Sequence, residues 1–406
     1  MSAAPARMQP TVRVGVFLIA LSATAPLSVD MFLPSMPEMA EEFGTSEGVL
    51  TLGVTLFLVS FAGSQLFYGP ASDRWGRRPI LLLGLAVYCL GGLMCLTATG
   101  VEQLILGRVL QGLGGGVGPA LANAMVLDLY GSEGAARMIG YMSIVLPLAP
   151  AIAPVIGGVI ATATSWRAVF VTLTGLGVAF IGWYLVTLPE TRPPRAAVRP
   201  GLLADYKTLF KTPTFVGYAL VMGLMFSGQL LFISTSSFVL IDRLGLSPAV
   251  FGIAFGSTAL GLMVGATASS RLAGRLAGRR LVMTGAVTAA VATGLMAATA
   301  LAGLEHPMLV IAPVFVSAVG LGVTRPSAMA GALVPFPHMA GMASSMLVFT
   351  QMAVSSGYNV GYTALVEPGV IALAVGMFIP IALAVVAVVV LRPGASEPPR
   401  DAEAAG

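Results

Sequence analysis

Two ionisable residues of opposite charge stand inside otherwise apolar stretches of this sequence. Asp30 is the acidic residue set well inside such a stretch, and Arg108 lies in another. An ionised carboxylate in hydrocarbon costs on the order of 3 kcal/mol. A group under that pressure can be charged in one state and neutral in another, and so can carry a proton and give it up. The competing reading is a capping carboxylate near a helix end, just ahead of Pro34. Arginine stays charged, so Arg108 must face a protein interior, pair with an acid or bind backbone carbonyls; a structural ion pair or a snorkelling side chain is the plainer alternative. Arg325, followed by Pro326, either lines an interior cavity or snorkels to the surface, and the sequence leaves both open. Asn123, Gln229, Gln351 and Asn359 are amides within apolar stretches. Such amides bond between helices more often than they bind ligand. Asn123 follows Arg108 by fifteen residues, near the same face of a straight helix. Asn123 and Gln229 are therefore expected in a cavity, with Phe226 and Phe232 as its apolar wall.

Other chemistries find no support. Intramembrane hydrolysis needs a nucleophile with a base, or paired acids; one interior Asp and no interior His supply neither, so no enzyme is expected. His306 and His338 sit at stretch ends without metal-ligand spacing, and no metal site is expected. Cys89 and Cys95 are six apart, off any common helix face, and read as packing. The run Gly112-Leu113-Gly114-Gly115-Gly116-Val117-Gly118 does not fit G-x-G-x-x-G and lacks the lysine of a phosphate loop. Its two overlapping small-x-x-x-small pairs instead let helices approach closely.

The elements that must hold these residues follow from composition. Hydrophobic residues make up 57% of the 406, charged residues only 9%, and mean hydropathy is +0.92. A membrane helix needs about 20 apolar residues. Twelve such spans are predicted, near 12–33, 48–70, 79–99, 102–127, 137–161, 165–188, 213–239, 248–270, 280–302, 306–333, 339–363 and 369–391. The runs are continuous rather than alternating, so they are helices and not barrel strands. With both termini placed in the cytoplasm, seventeen Lys or Arg fall on that side and two, Arg167 and Arg243, fall outside. The net charge of +4 thus reflects topology and anionic lipid rather than nucleic-acid affinity. Arg7 and Arg13 ahead of an apolar run ending Ala23-Thr24-Ala25 also fit a cleaved leader, but cleavage would leave eleven spans and spoil that charge count.

A Pro- and Arg-rich stretch divides the spans evenly. The expected organisation is a six-helix bundle over 1–188, a cytoplasmic linker over 189–212 with a short helix near Leu202–Phe210, a second six-helix bundle over 213–392 and a polar cytoplasmic tail over 393–406. Gly76-Arg77-Arg78 recurs as Gly278-Arg279-Arg280, and Gly116-Val117-Gly118 recurs as Gly320-Leu321-Gly322. Six spans is an even number, so the two copies enter the membrane in the same direction. They form a parallel repeat about an axis along the membrane normal, with a site near the midplane between them.

Four segments resemble the major facilitator superfamily, and more closely its drug:proton antiporters of the bicyclomycin/chloramphenicol-resistance type. Asp30-Met31-Phe32-Leu33-Pro34-Ser35-Met36-Pro37 is similar to D-M-Y-L-P-A-x-P. Gly69 to Pro79, including Ser72-Asp73-Arg74 and Gly76-Arg77-Arg78, matches the superfamily loop motif G-x-x-S-D-R-x-G-R-R. Arg108-Val109-Leu110-Gln111-Gly112 is similar to R-x-x-Q-G, and Pro154-Val155-Ile156-Gly157-Gly158 to the antiporter motif P-x-x-G-G. The resemblance implies an all-α fold of two bundles related by a pseudo-two-fold. It implies proton-coupled efflux of small, mostly apolar drugs by alternating access, driven by the proton gradient with no cofactor. It places a chain working as a monomer in the bacterial inner membrane, its partners being drug, proton and lipid. Asp30 and Arg108 would couple the proton, with the arginine near the acid. Asp73, Arg74, Gly76, Arg77, Arg78 and Asp128 would latch the bundles in the outward-open state. Pro150, Pro154, Gly157 and Gly158 would seal the cavity against proton leak. Arg275 stands where the second copy would carry the counterpart of Asp73, so its latch is expected to be degenerate. The alternative is an importer or metabolite symporter on the same fold.

Overall fold

Breaks in the long apolar stretches of the first half fall just ahead of prolines. The computed structural model describes residues 12–146, 148–188, 190–191, 202–273, 275–336 and 340–391. The first stretch is divided into α1 (Val12–Ser22), α2 (Thr24–Asp30), a tight turn over Leu33–Ser35 and α3 (Met36–Phe43). Pro26 and Pro34 have no N–H for the carbonyls of Ser22 and Asp30, where α1 and α2 end. The same cause separates α6 (Val101–Gly115) from α7 (Val117–Val145), with Pro119 four residues after Gly115. It also separates α7 from α8 (Leu148–Ala163), with Pro150 four residues after Leu146. Between them lie α4 (Glu47–Trp75) and α5 (Arg77–Leu96), and α9 (Trp166–Thr187) completes the first half. The expected linker helix is present as α10 (Leu202–Lys211); residues 189 and 192–201 of the linker, His338 and the whole expected tail fall outside the described residues.

The second half holds α11 (Pro213–Ser237) with a wider turn over Phe238–Arg243, α12 (Pro248–Leu272), α13 (Gly278–Leu301), α14 (Pro307–Leu333), α15 (Ala340–Leu365) and α16 (Val370–Leu391). Among the described residues nine segments are long and apolar enough to cross a bilayer, ten with the bent α1–α3 taken as one. Two more complete the expected twelve. One joins the end of α7 to the shorter α8. The other is α15, long but carrying buried Gln351, Ser355, Ser356 and Asn359.

The repeat is visible in the packing, two residues off the register read from sequence. Gly114 of α6 abuts Gly84 and Tyr88 of α5, and Gly320 of α14 abuts Gly285 and Ala289 of α13. Gly114, not Gly116, is therefore the counterpart of Gly320. Gly116 faces Phe61 and Ser64 of α4, just as Gly322 faces Leu262 and Ala266 of α12. Every glycine in this run lies where a Cβ would meet a neighbour, mostly another helix's backbone, which is close packing through small residues.

Charge distinguishes the two ends. One carries Arg74, Arg77, Arg78, Arg271, Arg275, Arg279 and Arg280; the other carries Glu38, Glu41, Glu42, Glu47, Asp242, Glu305 and Glu367. The apolar core follows the same division. At the acidic end one continuous cluster joins Phe32, Phe57 and Trp166 of the first half to Phe232, Phe255 and Val310 of the second. Toward the arginine-rich end each half has its own separate core. The halves therefore meet at the acidic end and part at the other. Along the side of α4 that faces α15, Gly48 and Thr55 are covered, Val59 is 44% exposed and Gly63 has no neighbour within 4 Å.

Candidate functional site

The centre of the molecule is built on the break after α2. Asp30 ends that helix, and the turn that follows touches α8 of its own half and α11 and α12 of the other. The carboxyl is thus held at the junction of the halves. Asp30 is 4% exposed and, among the described residues, makes no hydrogen bond or ion pair.

Arg108 is fully buried. Its Nη1 donates to the Ser28 carbonyl at 3.0 Å and to Gln111 Oε1 at 2.6 Å, and its Nε donates to the Gly53 carbonyl at 3.4 Å. The guanidinium carbon lies 4.6 Å from the centre of the Phe32 ring and 4.3 Å from that of Phe57. Two aromatic faces and backbone dipoles thus hold the charge. The resemblance places this arginine near the acid; here it binds the backbone two residues before Asp30 and forms no ion pair with it. Ser28 is fixed from the other side, its hydroxyl 2.6 Å from that of Tyr88. Tyr88, Ser28 and Gln111 hold Arg108, and none was assigned a role from sequence. Gln111 was legible through its i, i+3 spacing from Arg108. Tyr88 comes from another helix and carried no local signal.

The antiporter motif lies against this centre. A Cβ on Gly157 would collide with the backbone of Met31, the neighbour of Asp30. On Gly158 it would meet the Pro248 carbonyl at the start of α12, while Gly252 and Gly256 of α12 abut the carbonyls of Pro154 and Ala151. Glycine on each helix therefore lets the backbones of the two halves touch. Across the other seam, Thr55 Oγ donates to Asn359 Oδ1 at 3.1 Å, and Asn359 Nδ2 donates to Ser234 at 3.0 Å. At the rim Arg243 approaches Glu47 to 3.8 Å.

The expected cavity residues divide. Gln229 is buried, and Phe226 is partly buried and touches both the joint core and that of the second half. Phe232 is no cavity wall: it is 1% exposed and stacks on Phe255 at 5.5 Å. Asn123 is exposed on α7, beside Ala122 and Met125 of the first half's own core.

At the arginine-rich end, Gly76 turns the chain at a φ of 102°, a backbone state open to glycine. Arg77 then reaches Asp73 at 2.6 Å and Asp128 at 2.9 Å, and its Nη1 donates to Ser72 Oγ at 2.6 Å. Arg74 lies over the Trp75 ring. Glu190, which sequence reading missed, accepts from the backbone N–H groups of Arg77 and Arg78 at 2.8 and 3.0 Å. It supplies the anion that the unpaired donors at the start of α5 favour. Ser72, Asp73 and Asp128 belong to the first half and Glu190 to the start of the linker, so in this state the Arg77 cluster braces the first half.

Comparison with known proteins agrees with this picture. The profile of the Major Facilitator Superfamily matches residues 17–359. Multidrug resistance protein D of Escherichia coli is 33% identical over 253 residues, 61% of this chain and 63% of that protein. The bicyclomycin resistance protein homolog of Haemophilus influenzae is 31% identical over 238 residues, 58% of this chain and 60% of that protein. The chain thus aligns with roughly three-fifths of the length of these curated relatives. In structure it is similar to a POT family transporter solved with a thioalcohol-conjugated peptide, with a TM-score of 0.78 at 14% identity over 95% of this chain and 97% of the other.

Proposed function

Because the chain belongs to the Major Facilitator Superfamily, we propose that it exports small, mostly apolar drugs across the bacterial cytoplasmic membrane in exchange for protons. The observation that carries this reading is Asp30: a buried, unpaired carboxyl at the junction of the two halves, directly beneath the closed end. Its site needs no cofactor beyond the proton gradient, and a single chain contains it.

Positive loops stay in the cytoplasm, so the arginine-rich end faces inward and the halves open toward the cytoplasm. In this state Asp30 carries its proton, since a charge so dry and uncompensated is costly. Cargo entering from the open side displaces that proton inward. Arg108, kept charged by carbonyls and rings, stabilises the carboxylate left behind. The halves then rock. The Gly158–Pro248 and Thr55–Asn359 contacts part, and the rim cluster of Asp73, Arg77 and Asp128 comes to meet the second half. Cargo leaves outward, and Asp30 takes its next proton from outside.

The test uses an efflux-deficient host carrying the wild type or Asp30→Asn at equal membrane levels, challenged with chloramphenicol and bicyclomycin. Wild type is expected to raise resistance and to lose that gain with a protonophore. Asp30→Asn is expected to confer none. Full resistance from the Asn variant removes Asp30 from the mechanism, and drug accumulation above the empty host makes the protein an importer.

A further inference from the structure

Arg325 carries a guanidinium set about two turns inside its helix. It makes no hydrogen bond, ion pair or ring contact among the described residues, and no charged group lies beside it. It sits eight residues before the end of α14, about 12 Å along the helix axis from the arginine-rich end. It is solvent-exposed and yet hemmed in by protein atoms, the position of a side chain in a recess. Helix geometry says which recess. Val316, nine residues earlier, is about half a turn away in rotation, and Val316 lines the outer groove that α14 forms with α13. Arg325 therefore points away from that lipid-facing groove. Its neighbours one turn away, Leu321 and Ala328, are buried in the core of the second half, and Gly322 lies against α12. The side chain thus lies on the face of α14 opposite the outer groove, toward the arginine-rich end where each half has its own core.

An exposed guanidinium that no protein group compensates is an anion site. We propose that Arg325 selects cargo in the form of an amphiphile with one acidic head, a carboxylate or sulfonate, held against an apolar body. This deepens the export reading and rests on it. The acidic head also belongs to anionic phospholipid, which could compete for the same guanidinium.

A matched pair of probes separates charge from apolar fit. The anion 8-anilinonaphthalene-1-sulfonate and the neutral N-phenyl-1-naphthylamine share a ring system and differ by the sulfonate. Fluorescence titration uses the full chain in phosphatidylcholine nanodiscs, with empty discs subtracted. Arg325→Gln is expected to weaken the sulfonate about tenfold, the scale of one charge-assisted contact, and to leave the neutral probe unchanged. Arg325→Lys is expected to recover part of the loss. Phosphatidylglycerol in the discs that weakens the sulfonate on wild type but not on Arg325→Gln supports the site and identifies lipid as an occupant. An unchanged ratio of the two affinities overturns the proposal, as does loss of both probes together, which makes Arg325 a packing residue. The outcome is independent of proton coupling: Asp30→Asn can leave export intact without altering the probe preference, and the preference can vanish while export persists.

Discussion

The two halves share a packing plan and divide the chemistry. Six residues before Gly114 stands Arg108; six residues before its counterpart Gly320 stands Val314, fully buried in the joint core. The first half places Asp30 at the centre, whereas α11 carries no acid before Asp242 at its far end. At the rim Arg77 holds two carboxylates and a hydroxyl, while Arg279 in the matching position donates only to the Val388 carbonyl at 3.3 Å. Glycines that set helix spacing are kept in both copies, since a backbone approach leaves no choice of residue. Charge is kept in one. One half carries the buried Asp30 and Arg108, and the other presents neutral amides, aromatic surface and Arg325.

That contrast is broken most decisively at Arg108. Arg108→Ala strips partners from the Ser28 and Gly53 carbonyls and from Gln111, and opens a void between Phe32 and Phe57. The expected cost is about 3 kcal/mol or more. Val314→Ala removes two buried carbons from the matching place and is expected to cost about 1–2 kcal/mol. Melting temperatures in detergent compare the two. Equal losses would mean that Arg108 acts as packing and that the halves differ less than their residues suggest.

The rims sharpen the comparison at smaller scale. Arg77→Ala leaves Asp128 half-buried without its cation and is expected to cost about 2 kcal/mol. Arg279→Ala surrenders one long carbonyl contact and is expected to cost a few tenths of a kcal/mol. The same melting assay reads both, and a large loss from Arg279→Ala would show a second rim brace that the contacts do not reveal.

Residues that act through their own helix were legible in the sequence; those that act through distant partners were not. The spans, the linker helix and the loop motif followed from hydropathy, proline and glycine. Asp30 and Arg108 stood out because charge in an apolar run is conspicuous. Phe232 was taken for cavity wall because nothing in a sequence says that Phe255 covers it. Glu190 reaches Arg77 from 113 positions away, and Asn359 reaches Thr55 from 304. Such pairings are set by how distant segments pack together and leave no periodic trace.

The smallest expected effect tests the seam between the halves. Thr55→Val keeps shape and removes one hydroxyl, which donates to Asn359 across the seam and more weakly to Thr51 at 3.3 Å within its own helix. Asn359 retains Ser234, so no polar atom is stranded. Only contacts between halves depend on which end is open, so the loss falls on the state closed at the acidic end. At about 1 kcal/mol for a net hydrogen bond, the closed population should fall roughly fivefold relative to the open one. Spin labels at Gly48 and Thr363, close neighbours across that seam, would report the change as a longer-distance fraction. Ser234→Ala touches Asn359 from within the second half and should leave that fraction where it was. If both variants shift it alike, Asn359 works by ordering α15, and the hydroxyl of Thr55 is not what holds the seam.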